Sequence, residues 1–262
     1  MPTPETSPSE LNHLRQTWET LGAEDPLWAV VSHPSKRGGG WNVADFLATG
    51  RSDIDRLRSI LARHPGTPDR FRHVLDFGCG VGRLTQAWRP HADSVTGVDI
   101  SEPMIRQAER LAAGHPGIQF LVNVRPDLAA LPDGHFDLCF SYICLQHMPW
   151  PLARAYLAEF ARVCTPGGWL LFQLPSRPPP TAGLARLRQS LVNLLPFGLD
   201  RSYRRWKHGS AAVFDVYYTP PDTVIQTATD LGLTFCLRES DPSAGPDTEG
   251  FLYLFRRPAG PA

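Results

Sequence analysis

His-Val-Leu-Asp-Phe-Gly-Cys-Gly-Val-Gly-Arg occupies residues 73–83, and Val-Thr-Gly-Val-Asp-Ile-Ser follows at residues 95–101. Val74 and Leu75 are apolar and run straight into a glycine cluster, the pattern of a buried parallel strand. Gly78, Gly80 and Gly82 stand at a spacing of two, where a missing Cβ lets a ligand approach the backbone. Arg83 to Trp88 reads as the helix that the turn opens, closed by Pro90. Asp99 then falls at the carboxyl end of a second apolar strand, where it can accept hydrogen bonds from both hydroxyls of a ribose. A strand, a glycine turn, a helix, a second strand and a terminal acid make a nucleotide-binding crevice.

The details say which nucleotide. In a dinucleotide fingerprint the sixth position counted from Gly78 is glycine, and here it is Arg83. The loop is Asp-x-Gly-x-Gly-x-Gly, with Asp76 two residues ahead of the first glycine. A carboxylate there repels a pyrophosphate and attracts a cation. S-adenosylmethionine carries an ammonium and a sulfonium, so the loop favours it over NAD.

The segment resembles the first motif and its sequel in the class I S-adenosylmethionine-dependent methyltransferases. Three further stretches keep the family's order and spacing. Asp127-Leu128, just before Leu131-Pro132, is similar to the acidic loop that holds the adenine. Phe136-Asp137-Leu138-Cys139-Phe140-Ser141 is similar to the fourth strand. Thr165-Pro166-Gly167-Gly168, leading into Trp169-Leu170-Leu171-Phe172, is similar to the turn into the fifth. The resemblance covers roughly residues 70–175, and the last two strands, within residues 219–257, fit the family's closing antiparallel hairpin. It implies an α/β fold: a doubly wound, mostly parallel, seven-stranded Rossmann-like sheet. Around that sheet the sequence adds an N-terminal helical cap and a helical insertion after the fifth strand. The cofactor residues expected on this basis are Asp76, Gly78, Cys79 and Gly80 in the loop, Asp99, Ile100 and Met104 after the second strand, and Asp127 with Leu128 at the adenine.

Composition narrows the class. The 262 residues, 42% hydrophobic, suffice for one substantial α/β core with additions. Lysine and arginine balance aspartate and glutamate at 26 each, which weighs against a nucleic-acid polymer as substrate. The five cysteines form no Cys-x-x-Cys pair, so no metal site is expected. They read as buried thiols of a reducing compartment, and with no signal peptide or membrane-length apolar run the expected location is the cytoplasm. The expected partner is a small-molecule methyl acceptor, with neither nucleic acid nor membrane, and the chain is expected to act as a monomer or homodimer.

Six segments are expected: a disordered tail (1–10), a helical cap or lid (11–69), the cofactor-binding core (70–175), a basic helical insertion (176–214), a return to the core (215–257) and a short tail (258–262). In the cap, Leu11, Leu14, Trp18 and Leu21 recur at helical spacing, and a second helix is expected from Ser52 as its N-cap. Arg37-Gly38-Gly39-Gly40 reads as a hinge. Segments ahead of the first motif often cover the cofactor in the resembled family, so Trp28, Trp41 and Phe46 are candidates to line the substrate pocket or else to pack the cap.

The chemistry is expected at the end of the fourth strand, Ser141-Tyr142-Ile143-Cys144-Leu145-Gln146-His147. Neither the Asp/Asn-Pro-Pro-Tyr/Phe sequence of nitrogen methyltransferases nor a Pro-Cys nucleophile stands there. His147 is the candidate catalytic residue: it removes a proton or orients the acceptor, or else caps the turn before Pro149. Tyr142 can border cofactor or acceptor. Asp215 and Tyr217, after the insertion, are candidates for acceptor binding or for loop packing. The arginines of the insertion can hold an oxyanion or simply form a solvated face. The favoured function is methyl transfer to a small molecule, to oxygen first and then to nitrogen or carbon. A non-methylating enzyme of the same cofactor, an RNA or protein methyltransferase, and a scaffold with a vestigial site remain alternatives.

Overall fold

The computed structural model describes residues 8–177, 214–245 and 248–259. Three helices precede the sheet: α1 (Pro8–Glu24), α2 (Pro26–Val30) and α3 (Val43–Leu61). The core follows as β1 (Phe71–Phe77), α4 (Arg83–Trp88), β2 (Ala92–Asp99), α5 (Glu102–Leu111), β3 (Ile118–Val122), β4 (Phe136–Ser141), α6 (Trp150–Val163) and β5 (Cys164–Arg177). It closes with α7 (Pro221–Asp230), β6 (Thr234–Ser240) and β7 (Glu249–Arg256). Seven strands form one sheet in the order β3-β2-β1-β4-β5-β7-β6, parallel from β3 to β5, with β7 antiparallel to both β5 and β6. This is the expected doubly wound sheet with its closing hairpin. The chain runs outward from β1 through β2 to β3, then restarts on the other side with β4. The crevice of such a sheet lies beyond the carboxyl ends of β1 and β4.

Alternation along the strands divides the interior into two cores. Leu75 and Cys139 face one side, with Phe160 of α6 and Val224 of α7, while Val74, Leu138 and Phe140 face the other, with Leu57 of α3 and Trp88 of α4. A third cluster of Leu21, Ala29, Phe46, Val81 and Met104 presses the amino-terminal helices onto the glycine loop. Apolar burial at roughly 25 cal/mol per Å² therefore fixes the cap as well as the sheet.

The structure corrects three expectations. The helix expected to begin at Ser52 begins at Val43, because the Asn42 side chain accepts from the N–H groups of Ala44 and Asp45 at 2.8 and 3.3 Å. Gly50 lies inside that helix: a Cβ there would stand 2.7 Å from the Arg83 carbonyl oxygen, so glycine is what lets α3 and α4 touch. The expected hinge is tied down, since Asp25 accepts from the N–H of Gly38 at 2.6 Å and of Gly39 at 3.2 Å. And α1 begins at Pro8, inside the expected tail, whose residues 1–7 lie outside the described ones. The body of the basic insertion, 178–213, also lies outside the described residues.

Candidate active site

A cavity of about 500 Å³ opens at the crevice. One end is built by the glycine loop. Gly78, Gly80 and Gly82 all have positive φ, and a Cβ on Gly78 would lie 2.0 Å from the Cys144 sulfur. Asp99 fastens the loop to the second strand: its Oδ2 accepts from the Gly80 N–H and its Oδ1 from the Ser101 N–H, each at 2.9 Å. Burial raises the Asp99 carboxyl, against the lowering effect of the Ser101, Gly80 and Ile100 N–H groups. Asp99 itself lines the cavity.

Asp76 lies beneath the loop, buried, with Oδ2 accepting from the Thr85 hydroxyl at 2.6 Å. Desolvation pushes its carboxyl up to about 7. Arg83, 5% exposed, also lines the cavity, where its guanidinium donates to Asp53 at 2.5 Å and to Thr49 at 3.1 Å. Its Nε has no partner. A buried acid, a buried guanidinium with an unused donor and a glycine cradle suit a ligand that carries both an ammonium and a carboxylate, as the methionine moiety of S-adenosylmethionine does. The residues present therefore fit the expected cofactor.

The other end is walled by rings. Trp18 of α1 stacks on Phe214 at 5.8 Å between centroids, and His147 meets both edge-on at 5.1 and 5.0 Å. Leu14 and Met148 continue the wall. His147 is buried, and desolvation brings its imidazole down to about 4. Its Nδ1 lies 2.8 Å from the Asp215 carbonyl oxygen, which can only accept, so Nδ1 carries the hydrogen and Nε2 a lone pair.

Of the residues singled out in the sequence, Asp76, Gly78, Cys79, Gly80, Asp99, Ile100 and Met104 line this cavity, with Tyr142 and His147. Tyr142 sits there with its hydroxyl committed: it receives from Arg56 at 2.5 Å, donates toward Asp241 at 3.2 Å and touches Ser243. Burial first, and then Asp241, push that phenol up, so it stays protonated and supplies no base.

The remaining candidates lie elsewhere. Asp127 accepts from Arg125 and from the Ala129 N–H, while the buried Leu128 gives its N–H to Glu159; neither lines the cavity. Asn123, which bonds the carbonyls of Arg125 and Asp127, lines it instead. Trp41 and the fully buried Phe46 pack edge-to-face at 5.7 Å in the cap. Trp28 donates to the His33 carbonyl at 3.1 Å under the Arg37 guanidinium. Asp215 and Tyr217 line a neighbouring cavity of about 240 Å³ that shares Leu14, Trp18, His147 and Phe214 with the main one. Sequence reasoning missed Trp18, Phe214 and Arg83 as cavity residues, while Gln146 lies in the stretch after the fourth strand where the chemistry was expected. Only the position of Arg83, next to the third glycine, gave a signal.

Residues 74–168 match the family described as methyltransferase domain. The matched stretch runs from β1 into β5 and includes the glycine loop and Asp99. Among curated relatives it is 33% identical over 147 residues to a malonyl-[acyl-carrier protein] O-methyltransferase of Serratia marcescens, covering 55% of this chain and 51% of that protein. It is 34% identical over 130 residues to a ubiquinone biosynthesis O-methyltransferase of Albidiferax ferrireducens, covering 48% and 51%. The chain spans about half the length of these relatives. Its fold is shared with magnesium protoporphyrin IX methyltransferase from Synechocystis, solved with bound S-adenosylhomocysteine, at a TM-score of 0.63 and 20% identity over 95% of this chain and 99% of that one. The N-methyltransferase NodS from Bradyrhizobium japonicum, also solved with S-adenosylhomocysteine, gives 0.58 and 19% over 94% and 99%.

Proposed function

We propose that this chain transfers a methyl group from S-adenosylmethionine to an oxygen of a small-molecule acceptor. The observation that carries the reading is one cavity holding a glycine loop pinned to Asp99 at one end and a buried neutral imidazole at the other. When bound, the cofactor supplies a methyl group already activated by a positive sulfur. The chain's part is to hold, align and accept a proton.

Asp99 receives the ribose hydroxyls, and Asp76 with Arg83 receives the charged amino-acid end. His147 presents Nε2 to the acceptor hydroxyl and takes its proton. An imidazole held near 4 is a weak base, but a hydroxyl oxygen that is forming a new bond to carbon becomes cationic and strongly acidic, so a weak base suffices. Keeping the ring neutral also avoids setting an imidazolium beside a sulfonium. The relatives named as O-methyltransferases support oxygen as the acceptor atom. No helix among the described residues is long and apolar enough to cross a membrane, and the five free cysteines fit a cytoplasmic setting.

The test is incubation with methyl-labelled S-adenosylmethionine and a panel of small hydroxyl compounds. Label is expected in the acceptor, together with S-adenosylhomocysteine. Turnover that leaves the label off the product would replace methyl transfer with another reaction. A second expectation concerns pH. Asp76 is half protonated near neutrality in the free protein, and an ammonium ligand needs it ionised. Affinity for S-adenosylhomocysteine is therefore expected to rise roughly tenfold from pH 6 to pH 8, with proton release. Asp76→Asn should flatten the dependence. A pH-independent affinity in the parent protein removes the ammonium from Asp76.

A further inference from the structure

We propose that the acceptor is an elongated molecule: its hydroxyl end lies beside His147 in the main cavity, and an apolar tail without an anionic group occupies the adjoining cavity along α1. The inference rests on the methyl-transfer reading above and names its substrate class. A pocket of roughly 300–1,000 Å³ takes one drug-sized ligand, and S-adenosylmethionine is such a ligand. The main cavity, about 500 Å³, is therefore largely filled once the cofactor is bound. The space left beside His147 suits the reacting end of an acceptor and little more.

Room for the rest lies next to it. The cavity of about 240 Å³ meets the main one at Leu14, Trp18, His147 and Phe214, which is the acceptor end. One of its walls is a single face of α1, where Glu10, His13, Leu14 and Thr17 recur at helical spacing. The other is the segment 214–217, and that segment is stitched to the turn carrying His147. The Asp215 carbonyl accepts from His147 Nδ1 at 2.8 Å, and the Tyr217 N–H donates to the Gln146 carbonyl at 2.7 Å. The first wall is held as well, since the Trp18 carbonyl accepts from the Ser101 hydroxyl at 3.1 Å. Both walls are thus fixed, the space between them stays open, and it ends at the imidazole. Leu14, Trp18, Pro149 and Phe214 give it apolar surface. His13 and Asp215, each more than half exposed and 3.8 Å apart, stand at its rim. No lysine or arginine is among its described lining residues, whereas Glu10 and Asp215 are. A carboxylate or phosphate on the tail would meet like charge there with no such cation to offset it.

The experiment is calorimetry on the full chain saturated with S-adenosylhomocysteine, titrated with phenol, para-hexylphenol and para-hydroxyphenylhexanoate. Hexylphenol is expected to bind at least about a hundredfold tighter than phenol, because its chain leaves water. The hexanoate should bind at least about tenfold more weakly than hexylphenol, and Asp215→Lys should narrow that gap about fivefold. Thr17→Trp fills the adjoining cavity from a position that does not line the main one. It should weaken hexylphenol at least about tenfold and leave phenol and S-adenosylhomocysteine untouched. His13→Trp, at the exposed rim of the same helical face, repeats the test should the buried substitution disturb α1. Hexylphenol no tighter than phenol, hexylphenol binding the tryptophan variants as it binds the parent, or a gap to the hexanoate that Asp215→Lys leaves unchanged would each overturn the inference. Failure of the parent protein to bind S-adenosylhomocysteine at all is a different result, and removes the methyl-transfer reading beneath it.

Discussion

His147→Phe is expected to lower kcat by about two to four orders of magnitude while S-adenosylhomocysteine binds as before, the range a positioned proton acceptor contributes. Phenylalanine keeps a ring against Trp18 and Phe214, which stand 5.1 and 5.0 Å from the imidazole, so the wall survives. It removes the Nε2 lone pair and the bond from Nδ1 to the Asp215 carbonyl. The pH profile carries its own sign. The imidazole is held near 4 by desolvation, so the base form is present at all pH values well above that. The rate of the parent enzyme should show no histidine limb between about pH 5 and 8, and should fall only as pH drops toward 4. A limb near the ordinary histidine value would mean that the ring is solvated during turnover. The same burial acts on stability. Between the ordinary histidine value and about 4, the unfolded chain binds a proton that the folded chain does not, so stability falls as pH is lowered through that window. His147→Phe should lose this part of the acid sensitivity in urea titrations at pH 4.5 and 7.

Asp99→Ala is expected to weaken S-adenosylhomocysteine by about a hundredfold. A hydrogen bond to a charged group contributes roughly 1.5–3 kcal/mol, and two ribose hydroxyls on one carboxylate therefore amount to about 3 kcal/mol or more. The substitution also releases the loop, because the Asp99 oxygens accept from Gly80 and Ser101. Asp99→Asn separates the two effects: its single amide oxygen can keep one of these bonds and holds much of the loop, but it offers a ribose less. Calorimetry should rank the parent above Asn and Asn above Ala. Unchanged affinity in the alanine variant would place the ribose elsewhere in the cavity.

The glycine loop and the strands were legible because they depend on neighbours in sequence. Apolar runs end at glycines that need positive φ, and helix α4 and strand β4 begin and end where the residues say. The beginning of α3 was hidden because Gly50 resembles a breaker, while its use, the close approach to Arg83, is a tertiary fact. The cavity wall was hidden for a related reason. Trp18, His147 and Phe214 come from three distant segments, and no local pattern announces their meeting. Asp127 has the right spacing, yet its carboxylate closes on Arg125 two residues away, which only coordinates reveal.

The position of α1 bears on how the chain is assembled. The Trp18 carbonyl accepts from the Ser101 hydroxyl at 3.1 Å, and the Trp18 ring waits for His147 and Phe214. This helix leaves the ribosome long before any of those partners exists. Leu21 finds Ala29, Phe46, Val81 and Met104 first, but the Trp18 ring has no aromatic partner until His147 is made, and loop closure over more than a hundred residues must precede that docking. The earliest of the described helices to be made thus has its ring wall completed late, since the reaction chamber is roofed only once Phe214 has emerged.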